Sequence, residues 1–197
     1  MPKEVRSKEE AILDGELVKG AIDDPEIFGS LMERYADKLT RYVRRLILAA
    51  NDDVDDILQE TFVKAYLNLA DYDERLSFSS WIYRIAHNQS MDHLRRTKVR
   101  PRPLDLESLD WAKLIADEAD LEKEFFGKDC ALKIQEALAD LSPEQRDALV
   151  LRFLEEKSYE EIMDILKKPK GTVATLIARG RKNLLKILKE KGVNCKE

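Results

Sequence analysis

The sequence predicts an all-α fold, with two small helical domains joined by a linker. Three observations carry that expectation. Apolar residues recur at the three- and four-residue spacing of a buried helix face over most of the chain. Helix breakers are scarce, with 7 glycines and 6 prolines among 197 residues, while charged residues reach 37% and aromatic ones only 7%. That mix favours helices over sheets. The segment Pro101-Arg102-Pro103 divides the pattern, since proline disfavours helix at and before its own position. The expected division is a helical bundle over residues 1–97, an acidic linker over 98–128 and a second helical domain over 129–197.

Taken in order, a short helix is expected near Glu9–Lys19. Phe28, Leu31, Met32, Tyr35, Leu39, Tyr42, Val43 and Leu46 form the stripe of a second helix. Asn51-Asp52-Asp53 can cap a third helix, whose stripe is Ile57, Leu58, Phe62, Ala65, Tyr66 and Leu69. Asp71 to Arg75 reads as a loop. A fourth helix carries Phe78, Ile82, Ile85, Ala86 and Leu94 on its inner face. The segment behind the proline pair contains Leu106, Leu109, Trp111, Leu114 and Ile115. It reads as a linker able to form a short helix or to dock on a partner.

The second domain begins near Asp129. Ser142-Pro143-Glu144-Gln145 is a helix start, with serine at the N-cap and proline at the first helical position. Ser158-Tyr159-Glu160-Glu161 is a capping box opening a short helix that ends before Lys167-Lys168-Pro169-Lys170. A longer basic helix from Gly171 or Thr172 to about Lys189 completes a helix-turn-helix pattern.

The net charge of −5 argues weakly against nucleic acid as a partner, but its distribution argues for it. Arg84 to Arg102 holds six Lys/Arg against one acid, and Lys167 to Lys191 nine against one. Between them, Leu104 to Asp129 holds nine acids against three lysines. Two basic faces thus flank an acidic middle. Cys130 and Cys195 show no ligand-like spacing and read as free thiols. The N-terminus lacks the apolar core of a signal peptide, and no apolar run is long enough to span a bilayer. A cytoplasmic chain without membrane insertion is expected. No Ser/His/Asp, phosphate-loop or metal-ligand constellation points to an enzyme, a cofactor or a metal. His87 and His93 share one helix with no carboxylate cluster to complete a site.

Two motifs carry a family resemblance. Asp55-Asp56-Ile57-Leu58-Gln59-Glu60-Thr61-Phe62, followed by Phe78 to Asn88 with its Ile85-Ala86-His87-Asn88 signature, resembles the polymerase-binding and promoter-melting helices of bacterial sigma factors of the extracytoplasmic-function (ECF) type. Ser158 to Ile162, with Gly171-Thr172-Val173, resembles the helix-turn-helix that such factors use on upstream promoter DNA. The resemblance implies a factor that binds core RNA polymerase, recognises −10 and −35 elements and promotes DNA opening. It implies that Asp56, Gln59 and Glu60 contact the clamp helices of the polymerase's largest subunit. It also implies that Arg84, Asn88, Asp92, Arg95 and Arg96 meet the −10 region. There asparagine suits a base edge and arginine a phosphate, and the Tyr72–Ser80 loop would pocket a flipped base.

For Trp81, stacking on a base and burial stand level; Phe78 reads as core. On the last helix, Thr172, Ala174, Thr175, Arg179 and Lys182 face outward toward the −35 region, while Lys168 and Lys170 meet phosphate from the turn. The chain departs from the family at Ala174 and Leu176, where a basic residue is usual, which points to a weaker or altered −35 preference. The resemblance further implies an anti-sigma protein as partner. An ordinary helix-turn-helix regulator and a pure interaction adaptor are the rival readings. The helix from Asp55 speaks against the regulator, and the paired basic faces against the adaptor.

Overall fold

The computed structural model describes residues 3–48, 51–97 and 128–192. Within them lie eight α-helices and no strand, in agreement with the all-α expectation. The acidic linker, apart from Lys128, and the Pro101-Arg102-Pro103 boundary lie outside the described residues.

Helix α1 (Lys3–Asp23) is longer than the sequence signals allow. Its continuation past Lys19 follows from burial of Val18 and Ala21 against the rest of the core. Asp24 caps α2 (Pro25–Ile47) by accepting from the Glu26 amide at 2.9 Å, with Pro25 in the first turn. The α2 stripe Phe28, Leu31, Tyr35, Leu39, Tyr42, Val43 and Leu46 is buried throughout. Each such side chain stabilises the fold by about 1.5–3 kcal/mol. Helix α3 (Asn51–Leu67) starts at Asn51 itself, so Asn51, Asp52 and Asp53 form its first turn rather than a preceding cap. There Asp52 and Asp53 face the positive end of the helix dipole. Its stripe is buried except for Tyr66, which is 44% exposed and rests its ring 5.2 Å from that of Phe28.

A short 3-10 turn (Leu69–Asp71) leads into the loop before α4 (Phe78–Thr97). Ser77 Oγ accepts from the Ser80 amide at 3.1 Å, which caps α4. Thr61 and Ser90 are fully buried, and each donates to a carbonyl four residues back. Both buried hydroxyls are thereby satisfied.

The second group comprises α5 (Lys128–Ala139), α6 (Pro143–Leu149), α7 (Tyr159–Leu166) and α8 (Lys170–Glu190). A π-helical turn, Val150–Leu154, continues α6. The serine starts form as expected. Ser142 accepts from the Gln145 amide, and Ser158 and Glu161 make a reciprocal capping box. Helix α7 ends on Lys167 in the left-handed conformation (φ 52). Proline at position 169 stands outside α8, which therefore begins at Lys170, slightly before the expected start. Helix α8 packs on α5, α6 and α7. Gly180 permits the close approach to α6, because a Cβ there would lie 3.3 Å from the Gln145 carbonyl oxygen.

The two groups are not separate beads. Helix α4 packs on α7, and α2 meets α6 and its π-helical extension. The buried apolar residues of both groups form one continuous cluster.

Candidate nucleic-acid interface

Three surfaces carry the residues singled out in the sequence. The first lies on α3. Asp56, Gln59 and Glu60 are exposed, and Ile57, Leu58 and Phe62 are buried. Val63 and Leu67, 55% and 72% exposed, lie at helical spacing on the same face. The face is thus acidic and polar at its start and apolar at its end. Sequence reasoning missed Val63 and Leu67. Their signal was that both fall off the buried stripe that starts at Ile57.

The second surface is α4 with the loop before it. Asn88, Arg95 and Arg96 are exposed, while Arg84 and Asp92 are half-buried. Asp92 and Arg95 pair with each other one turn apart. Lys64 Nζ donates to Gln89 Oε1 at 2.8 Å, which ties α4 to α3.

The structure corrects Trp81. It is 6% exposed and packs between Tyr72 and Phe78, with ring centroids 5.4 and 5.5 Å away. Its indole face is occupied by protein and cannot stack on a base in this conformation. An aromatic residue that serves as the floor of a loop gives the same sequence signal as one presented to solvent.

The loop holds its own shape. The Tyr72 hydroxyl donates to the Leu76 carbonyl. Asp73 accepts from the Arg75 amide at 3.0 Å and from its guanidinium at 2.8 Å. Those bonds hold the Asp73 carboxyl down at about 2, while burial pushes the Tyr72 phenol up to about 12.

His87 has a role that the sequence did not suggest. Its Nδ1 lies 2.5 Å from Oδ2 of Asp147, a fully buried carboxylate on α6. His93 Nε2 lies 3.7 Å from Asp53. Among the described residues no group of three His, Cys, Asp or Glu could hold a metal ion.

The third surface is α8 with the turn before it. Thr172, Thr175, Ala178, Arg179 and Lys182 are exposed, and Val173, Ile177, Gly180 and Leu184 face inward. Ala174 and Leu176 are half-buried, and Leu176 packs against the core. Leu176, one of the two positions that break the basic pattern, is therefore poorly placed to reach a ligand. The Thr175 hydroxyl donates to the Gly171 carbonyl at 2.7 Å and keeps its acceptor lone pairs outward. Lys168 and Lys170 are engaged with Glu144 at 3.0 Å and Glu160 at 3.3 Å. The Glu160 carboxyl is held below its ordinary range by its own backbone amide and by Lys170. An anion binding at the turn must compete with both carboxylates.

Basic and polar side chains on two helices, with a polar–apolar face on a third, suit macromolecular contact rather than bond chemistry. Comparison with known proteins agrees. Residues 31–100 match the family described as Sigma-70 region 2, and residues 131–184 match Sigma-70, region 4. The ECF RNA polymerase sigma factor SigW of Bacillus subtilis is 33% identical over 172 residues, which cover 85% of this chain and 91% of that protein. The ECF RNA polymerase sigma-E factor of Haemophilus influenzae is 32% identical over 80% of this chain and 85% of its own. Among solved structures, CnrH in complex with the cytosolic domain of CnrY superimposes with a TM-score of 0.64 at 25% identity, over 91% of this chain and 97% of that one.

Proposed function

The chain belongs to the ECF sigma factors of bacterial RNA polymerase, and from that premise we propose how its three surfaces divide the work. A sigma factor is an initiation factor, not an enzyme. It binds core RNA polymerase, recognises the −10 and −35 promoter elements and promotes DNA opening. In this chain the outer face of α3, with Asp56, Gln59, Glu60, Val63 and Leu67, takes the clamp helices of the polymerase's largest subunit. Arg84, Asn88, Asp92, Arg95 and Arg96 on α4 serve the −10 region. Thr172, Ala174, Thr175, Arg179 and Lys182 on α8 serve the −35 region, with Lys168 and Lys170 on phosphate. Residues 1–97 and 129–197 are then the two working domains, with 98–128 as tether.

One observation carries this reading: the two family matches fall, in order, on the two helix groups that bear these surfaces. The chain works in the cytoplasm, where polymerase and DNA are; among the described residues no helix is long and apolar enough to cross a membrane. An anti-sigma protein is the further expected partner, as the family resemblance implies; CnrH was itself solved in complex with the cytosolic domain of CnrY.

Co-purification with core polymerase followed by run-off transcription tests the assignment. Retention of polymerase and a promoter-dependent transcript support it. A chain that binds symmetric DNA half-sites without polymerase favours an ordinary regulator instead.

A further inference from the structure

Helix α1 ends before residue 31, where the match to Sigma-70 region 2 begins, and none of the three surfaces uses it. It nevertheless buries a carboxylate. Asp14 is 4% exposed and shares the inner face of α1 with Val18 and Ala21. An apolar side chain there would hold α1 at least as firmly, because a buried charge loses its water and is compensated only by well-placed partners. What Asp14 adds is geometry.

Its two oxygens take different donors on α2. Oδ1 accepts from Arg34 Nε at 2.7 Å, and Oδ2 accepts from the Tyr35 hydroxyl. Burial, with Asp14 behind it, pushes the Tyr35 phenol up, so the proton stays on the phenol oxygen and the bond keeps its direction at neutral pH. The same tyrosine touches the start of α4. Its ring meets that of Phe78 edge-on, with centroids 5.4 Å apart and planes at 69°. The Ser79 hydroxyl acts on the same phenol oxygen.

Phe78 and Ser79 lie at the end of the Tyr72–Ser80 loop. Phe78 packs on Trp81 and, edge-on at 5.8 Å, on Tyr72, whose hydroxyl holds the Leu76 carbonyl. Between these anchors Glu74 and Arg75 stand in solvent. The loop thus takes its position from an aromatic floor, and Asp14 reaches that floor through Tyr35. Helix α1 has a second, weaker hold on the loop, where Lys19 Nζ lies 3.3 Å from Glu74 Oε2 with both side chains exposed.

We propose that Asp14 is a positioning residue for promoter opening: by fixing the Tyr35 hydroxyl it sets the aromatic floor of the Tyr72–Ser80 loop, and so the fit of that loop to an unstacked base. The proposal rests on the assignment of α4 and the loop before it to the −10 region. A base leaves its stack only where a formed pocket offsets the loss. Such a pocket works when its parts are held to within about 0.5 Å, and a tilted ring under the loop exceeds that tolerance.

The test uses the full-length chain with core polymerase and single-stranded −10 oligonucleotides of the sequence that the unmodified factor selects. Each position is made abasic in turn. The position whose loss weakens binding most marks the pocket, and the ratio of intact to abasic affinity there measures the fit. D14N keeps the shape of the side chain, but whichever way the amide turns, one of the two donors faces its NH2 group. Y35F keeps the ring and removes the hydroxyl. Each should cut the ratio by about tenfold. Affinity for the abasic strand and retention of polymerase should stay within about twofold. The double variant D14N/Y35F should lose no more than either single one, because residues that act through one contact are not additive. V18A opens a cavity in the same interface and should leave the ratio as it was. An unchanged ratio in D14N overturns the proposal, as does an equal loss in V18A, which makes α1 a brace only. Full additivity in D14N/Y35F overturns the route through Tyr35. If D14N loses helicity, Y35F against V18A decides. Failure of the underlying assignment looks different: the unmodified chain then binds intact and abasic strands alike at every position, and the proposal falls with it.

Discussion

Lys167 holds a left-handed backbone conformation (φ 52) at the end of α7, where glycine is the usual choice. A side chain there costs about 1 kcal/mol. K167G should therefore raise stability by up to about that amount in urea unfolding. The exposed ammonium sits in the turn before α8, so the same change should also flatten the salt dependence of duplex binding by about one unit. Higher stability with unaltered salt dependence removes Lys167 from the phosphate contacts. Glu144 offers a complementary change. It occupies Lys168 at 3.0 Å, so E144Q should free that lysine and strengthen binding to any duplex, evenly across sequences. Fluorescence anisotropy on two unrelated duplexes reads this, and gain on one sequence alone points to base contact instead. Trp81 shows where residue-scale reading stops. Nothing in Phe78-Ser79-Ser80-Trp81 separates an aromatic on the surface from one that floors a loop. Tyr72, six or more residues away in sequence, decides it by packing against both rings.

At the scale of elements the helices were legible because local chemistry fixes them. Ser142-Pro143 and the Ser158–Glu161 box form their caps as written. The stripe on α2 is buried along its length. The ends of α1 and α3 were less legible. Those boundaries depend on what Val18, Ala21 and Val54 find to pack against, which periodicity does not contain. The α3 face shows the same division. Asp56, Gln59 and Glu60 stand out by motif, whereas Val63 and Leu67 stand out only once the buried stripe is known. Replacing Gln59 and Glu60 by alanine should weaken core-polymerase binding and leave the melting temperature nearly unchanged, because both are exposed. L67A should do likewise despite removing an apolar side chain, since that side chain is 72% exposed and buries little on folding. A pull-down series against core polymerase checks both. Unchanged retention in Q59A/E60A and L67A together would take this face out of the polymerase contact.

The whole molecule is where the sequence said least. Contacts such as Tyr42 with Asp147 and Arg45 with Glu155 join residues more than a hundred positions apart, and no local pattern announces them. They make the molecule sensitive to alkali. Burial, with Asp147 behind it, pushes the Tyr42 phenol well up, and burial with Glu155 does the same for Tyr83. Burial and Asp14 raise Tyr35, and Tyr72 stands at about 12. A phenol near 10 in the unfolded chain ionises first there, so this stabilisation is complete below about pH 10 and is lost as pH rises through the folded values. Urea midpoints should hold level up to that point and fall beyond it, alongside late tyrosinate absorbance at 295 nm. Y83F should blunt the fall. A midpoint independent of pH from 9 to 12 would contradict a stabilising role for these buried phenols.

The most direct test of the account is permanganate reactivity on linear promoter templates selected by the factor from a randomised library. Core polymerase alone, with the chain, and with N88A are compared. Reactive thymines should cluster at the −10 region only when the chain is present, with fewer in N88A and polymerase retention equal for both forms. A template left as unreactive with the chain as with core polymerase alone, despite stable binding of the two, would contradict it.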